Sequence, residues 1–222
     1  MRPAIEAVVF DWDGTLIDSR AALISAWHES TETVIGRRFP ATAAEEREVF
    51  TLPGSAIWRR LAGADDRLQA LADGFQEAYE RTGELVRAFP GIPQALSELR
   101  EAGVAIGVVT SKARRRFALD ARRAQLEELI DASICDGDAP AAKPDPRPVL
   151  AALERLGVSA PDALMVGDTV VDITAGLRAG TAVAGVLWGA STESELRADG
   201  ASAVFAEPSE LTAAVLGERV AT

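Results

Sequence analysis

From residue 89 onward, short apolar runs of strand type alternate with stretches whose apolar residues recur every three or four positions. Such alternation admits few folds. Each strand feeds a helix that returns the chain to a parallel neighbour, and helices cover both faces of one doubly wound sheet. The candidate strands are residues 104–109, 133–135, 164–166, 181–187 and 203–205. Between them Ile92, Leu96 and Leu99 share one helical face, as do Val149, Leu153 and Leu156. Gly103, Gly157 and Gly180 stand where helices should stop. An earlier run, Ala7-Val8-Val9-Phe10, reads as a parallel strand buried on both faces.

Residues 18–88 break the alternation. Asp18 and Ser19 are good helix caps, after which Leu23, Trp27 and Val34 repeat, and later Leu68, Leu71 and Phe75. A helical stretch of this length between the first and second strands is too long for a simple crossover. The expected fold is therefore α/β: a doubly wound, Rossmann-like parallel sheet core from residues 1–17 and 89–222, with an inserted all-helical cap at 18–88.

Composition excludes several functions. A formal charge of −11 argues against a nucleic-acid surface, which needs clustered positive charge. The single cysteine, Cys135, allows no disulfide within the chain and fits a reducing compartment. The basic start is followed soon by Glu6 and Asp11, unlike a secretory signal. No apolar run approaches the ~20 residues that span a bilayer. The expectation is a cytoplasmic protein with no nucleic-acid or membrane partner, monomer or homodimer.

Four segments carry chemistry. Asp11 and Asp13 follow the first strand on alternate positions, at the rim where open α/β sheets bind ligands. Gly14 permits a sharp turn, and its amide can approach an anion. In Val108-Val109-Thr110-Ser111-Lys112 a second strand ends in two hydroxyl residues at the same rim. The Thr110 hydroxyl can donate to a phosphate oxygen, with the following amides facing it. Lys143 precedes Pro144, which leads toward a helix. Of 23 basic residues only Lys112 and Lys143 are lysine, and a compact ammonium suits crowded carboxylates and phosphate better than a forked guanidinium. Finally, Gly167-Asp168 follows another strand, with Asp172 within one helical turn, a pair of hard oxygen ligands for a cation. Each segment alone also fits a turn, a cap or a solvated surface. Together they point to a metal-assisted phosphate site.

The run Asp11-Trp12-Asp13-Gly14-Thr15-Leu16-Ile17-Asp18-Ser19 resembles the first motif of the haloacid dehalogenase-like phosphohydrolases, and the other segments follow in that superfamily's order. The chain looks most like the phosphoglycolate phosphatase branch, to which Ala184-Gly185-Val186-Leu187-Trp188-Gly189 is also similar. Trp12 in place of phenylalanine and the apolar Val170-Val171 are departures that change no chemical group. The resemblance implies a Mg2+-dependent phosphatase that forms an aspartyl-phosphate on Asp11, with Asp13 as acid and base. Asp11, Asp13 through its carbonyl, Asp168 and Asp172 would serve the metal. Gly14, Thr110, Ser111 and Lys143 would bind phosphate, with Thr110 and Lys143 compensating its charge. Asp172 either reaches the metal through water or orients Lys143.

Among relatives, dehalogenases lack the second aspartate, and phosphonatases use a cap lysine that residues 18–88 do not contain. Phosphoglucomutases place a histidine where Leu23 stands, and His28 reads as a helix-surface residue. A small phosphorylated metabolite such as phosphoglycolate is the expected substrate, with pyrophosphate, a sugar phosphate or mere ligand binding by an inactive relative as alternatives. The loop Thr51-Leu52-Pro53-Gly54-Ser55 and the arginines Arg47, Arg59 and Arg60 are candidate substrate contacts.

Overall fold

Strand β1 (Ala7–Phe10) is buried along its whole length, which explains why its sequence is uniformly apolar rather than alternating. It lies at the centre of a six-stranded sheet in the structure, a computed structural model that describes residues 5–217 apart from 53 and 64. Two compact units emerge. One runs from the amino end through Ile17 and resumes at Ala88; the other is Asp18–Arg87.

In the first unit, α5 (Ile92–Glu101) leads to β4 (Ala105–Ala113), α6 (Arg114–Arg123) and β5 (Ala132–Asp136). Then come α7 (Arg147–Leu156), β6 (Ala163–Gly167), α8 (Val170–Ala179), β7 (Ala182–Val186), α9 (Glu193–Ala198), β8 (Ala203–Phe205) and α10 (Pro208–Leu216). All six sheet strands are parallel, in the order β5-β4-β1-β6-β7-β8. The chain winds outward from β1 through β4 to β5, then returns to start the other half at β6. The order reverses between β1 and β6, which is where a doubly wound sheet opens its ligand crevice.

Register fixes what meets there. Phe10 aligns with Val108 on β4 and with Val166 on β6, so Asp11, the 109–110 step and the 167–168 step reach one rim. Against the sheet, Val149, Leu153, Ile173 and Ala175 pack with Val9, Met165 and Val183, all nearly inaccessible to water. Each buried valine, leucine, isoleucine or methionine among them contributes roughly 1.5–3 kcal/mol, which makes this layer a stiff support for the rim. Helices α7 and α8 end at Gly157 and Gly180, and Gly103 lies one residue beyond the α5 cap.

Among the described residues the second unit holds four α-helices, α1 (Arg20–Ile35), α2 (Ala43–Thr51), α3 (Gly54–Ala62) and α4 (Asp65–Arg81). Short strands β2 (Ile17–Asp18) and β3 (Arg87–Ala88) pair where the chain leaves and re-enters the first unit, strands too short to mark themselves in the sequence. The buried stripe of α1 is Ala22, Ala26, Trp27, Ser30 and Thr31, with Leu23 and Val34 only half-buried. Small residues win because α1 and α4 approach closely: Ser30 Oγ donates to the Leu71 carbonyl at 2.7 Å, opposite Gly74. Trp27 then packs against Phe75, Phe39 and Trp58 at centroid distances of 5.0, 5.5 and 5.7 Å.

Candidate active site

Asp11 is the first residue beyond β1, and its amide donates to the Val166 carbonyl at 2.9 Å. The main chain is thereby tied to β6 at the crevice. Lys143 reaches it from the segment before α7. Its ammonium donates to Asp11 Oδ1 at 2.5 Å, to Asp172 Oδ1 at 2.6 Å and to the Val109 carbonyl at 2.9 Å. Three donors meet three acceptors, which satisfies a buried lysine fully.

Asp168 follows β6. Its Oδ1 accepts from the Thr15 hydroxyl at 3.0 Å and its Oδ2 from the Ala190 amide at 2.9 Å. Trp188 fastens the same corner, its indole donating to the Thr15 carbonyl at 2.9 Å. A Cβ on Gly14 or Gly189 would collide with the Asp168 carboxylate, and Gly14 holds φ +88° in addition. Asp172, third residue of α8, accepts from the Thr169 amide and hydroxyl through Oδ2 at 3.1 and 2.5 Å. It is thus a helix cap on one oxygen and a lysine partner on the other; of the two roles the sequence left open, water-mediated metal contact or orientation of Lys143, the contact present is the one to Lys143.

Oxygens of Asp11, Asp168 and Asp172 lie within 4.8 Å of one another, all three residues buried. At an effective dielectric of ~20, two like charges at that separation repel by about 3 kcal/mol. Three carboxylates face one ammonium, so the cluster is short of positive charge. Burial first, then Asp172, pushes the Asp168 carboxyl up to about 7 against its hydrogen-bond donors. Burial also raises Asp11 well above the usual carboxylate range, opposed by Lys143 and reinforced by Asp172 and Asp168. Burial works against the Lys143 ammonium, yet Asp11 and Asp172 outweigh it and hold the pKa above the ordinary lysine value. Hard, crowded oxygens with uncompensated charge suit a divalent cation of the magnesium type.

Asp13, expected to serve the metal only through its carbonyl, has its carboxylate Oδ1 2.7 Å from Lys112 Nζ, which is no contradiction. Several expectations need correction. Gly14 cannot offer its amide to an anion, because the turn closes on itself and that amide donates to the Ile17 carbonyl at 3.0 Å. Strand β4 does not end before Thr110 but continues to Ala113 through an irregular register after Val109. Thr110 is buried and its hydroxyl accepts from the Lys112 amide at 3.1 Å, whereas Ser111 is exposed. Thr110, Ser111 and Lys143 line a cleft of about 200 Å³ with the 136–142 loop.

Sequence reasoning passed over Thr15 and Ala190 as supports of Asp168; Thr15 carried a signal in its place beside Gly14, Ala190 none. Cys135 lines the cleft wall, and burial pushes its thiol up to about 11, a packing residue rather than a nucleophile.

In the second unit, His28 is half-buried. Its Nε2 donates to the Pro40 carbonyl at 2.8 Å, and its Nδ1 accepts from Arg38 at 3.0 Å. Arg60 is paired with Glu48 and stacked 5.6 Å from the Phe39 ring, while Arg47 and Arg59 are exposed. Thr51 ends α2, Gly54 and Ser55 begin α3, and Pro53 lies outside the described residues.

A doubly wound α/β core that gathers aspartates and a lysine at its switch point is the architecture of a phosphohydrolase, and the chain is such an enzyme. Residues 8–186 match the haloacid dehalogenase-like hydrolases, and the chain belongs to that family. It is 31% identical over 202 residues to pyrophosphatase PpaX of Bacillus velezensis, covering 88% of this chain and 90% of that protein. A hydrolase of known structure from Pseudomonas syringae superposes with a TM-score of 0.82 at 25% identity, over 95% of this chain and 98% of that one. A provisionally assigned phosphoglycolate phosphatase from Lactobacillus plantarum shares the fold, with a TM-score of 0.81 at 24% identity over 94% and 98% of the two chains.

Proposed function

We propose that this phosphohydrolase is magnesium-dependent and cleaves a small phosphorylated metabolite through an aspartyl-phosphate on Asp11. The observation that carries the reading is the contact of Asp11 with Lys143 inside a buried cluster that includes Asp168 and Asp172. An anionic carboxylate cannot approach an anionic phosphate unless cations screen the repulsion. Lys143 supplies one such charge. A magnesium ion held by Asp11, Asp168 and the Asp13 carbonyl, with Asp172 steadying Lys143, would supply the rest.

In the first step an Asp11 carboxylate oxygen bonds to phosphorus as the ester bond breaks, and Asp13 gives its proton to the leaving oxygen. In the second, the Asp13 carboxylate takes a proton from water as that water displaces Asp11 and frees phosphate. Thr110, which lines the same cleft as Lys143, would donate to a phosphate oxygen during both steps.

The similarity to PpaX supports a second substrate reading, pyrophosphate, for the same chemistry. The test is phosphate release from 4-nitrophenyl phosphate with Mg2+ and after chelation, followed by phosphoglycolate, sugar phosphates and pyrophosphate in parallel. Turnover should require the metal, and one substrate should exceed the aryl ester in kcat/KM. Undiminished turnover after thorough chelation would remove the metal from the mechanism.

A further inference from the structure

The two lysines of this chain divide the acids of the Asp11-Trp12-Asp13 turn between them. Lys143 holds Asp11, whereas Lys112 near the end of β4 lies against Asp13 and against Asp120 of α6. The Lys112 side chain is 3% exposed, Asp120 is 0% and Asp13 is 20%. A buried lysine-aspartate pair gains little over apolar packing of the same volume, so pinning α6 to β4 is a weak reason to keep one. Here the ammonium extends beyond its buried partner to the more exposed carboxylate at the site, 2.7 Å away. A guanidinium fork presents its donors in a plane, whereas an ammonium can serve two carboxylates in so closed a space. The mutually close carboxylates are those of Asp11, Asp168 and Asp172, whereas the Asp13 carboxylate pairs with Lys112.

We propose that Lys112, charge-balanced by Asp120, is a positioning residue that keeps the Asp13 carboxylate away from the neighbouring acids and aimed for proton transfer to the leaving oxygen. The proposal rests on the reading of Asp13 as the proton donor. Lys112 touches neither substrate nor phosphorus in this scheme; it acts through Asp13 alone. Loss of Lys112 therefore matters in proportion to how much the leaving group needs a proton.

The experiment compares phenyl phosphate, a poor leaving group, with 4-nitrophenyl phosphate, a good one, through kcat/KM at saturating Mg2+. Lys112→Met and Asp120→Asn are introduced together so that no buried charge is left unpaired, and the fold is checked by circular dichroism. The double variant should lose ~10–100-fold on phenyl phosphate and under ~3-fold on 4-nitrophenyl phosphate, part of the ~100–10,000-fold that a general acid supplies. Adding Asp13→Asn should cost no more than Asp13→Asn costs alone, since the effects share one path. Equal losses on both esters, additive losses with Asp13→Asn, or no loss at all would overturn the proposal. If Asp13→Asn by itself spares both esters, the assignment of Asp13 fails and this inference with it. If only Asp13→Asn shows the leaving-group dependence, the assignment stands and the role of Lys112 falls.

Discussion

Lys143 is the residue on which the balance of the cluster turns, and its replacement by methionine gives a quantitative test. The substitution keeps the aliphatic stem and removes an ammonium that serves Asp11, Asp172 and the Val109 carbonyl in a site only 9% exposed. Removing one partner of a buried ion pair costs about 3–5 kcal/mol, because the remaining charges lose their compensation. That is a large part of the ~5–15 kcal/mol by which a domain is stable, and it corresponds to a fall in Tm of roughly 10 °C.

The pH dependence of this loss is specific. Asp11 and Asp168 have folded pKa values above their unfolded ones, Asp168 near 7 against an ordinary 3.8. Between those limits the folded protein holds protons that the unfolded chain has released, so stability from this source falls as pH rises through the window. Without the ammonium the carboxyls should protonate at still higher pH. The penalty of Lys143→Met is therefore greatest at pH 8 and shrinks toward pH 5, where the acids neutralise themselves. Urea unfolding of both proteins in EDTA at the two pH values measures it. A difference below ~1 kcal/mol at pH 8, or one that is the same at pH 5, would refute the reasoning about charge.

Gly189→Ala should push the Asp168 carboxylate out of place, since the added Cβ has no room beside it. If Asp168 holds Mg2+ as proposed, the half-saturating concentration should rise ~10-fold or more, as when support of a metal ligand is lost, and unchanged metal dependence would contradict this. Asp11→Asn should abolish turnover and leave the melting temperature of the metal-free protein at pH 8 no lower than the parent's, because a neutral amide replaces a disfavoured charge. Near wild-type activity in that variant would refute the proposed nucleophile. Cys135, with its thiol pushed up to about 11, should resist a disulfide reagent at pH 8 until urea is added; rapid labelling of the native protein would show the pocket wall to be open.

The fold was legible in the sequence because its cues are local. A buried parallel strand needs an unbroken apolar run, as at Ala7–Phe10, and a core-facing helix needs a stripe such as Val149 and Leu153. Strand ends were less legible: β4 runs on to Ala113 because pairing with β5 resumes beyond an irregular step, a contact between distant segments. Helix α6 escaped notice, since its arginines mask the few buried positions, Phe117, Asp120 and Ala121.

What the amino-acid order determined by itself was that Asp11, Asp13 and Asp168 follow strand ends and so occupy the rim, because periodicity puts them there. Which acid meets which cation was decided only by tertiary structure. Lys143 finds Asp11 across 132 residues and Thr15 finds Asp168 across 153. Lys112, singled out in the sequence only as one of two lysines, joins Asp13 to a buried Asp120. Local propensity acts over a few neighbours, whereas these pairings follow from strand order, register and the cost of burying an unbalanced charge.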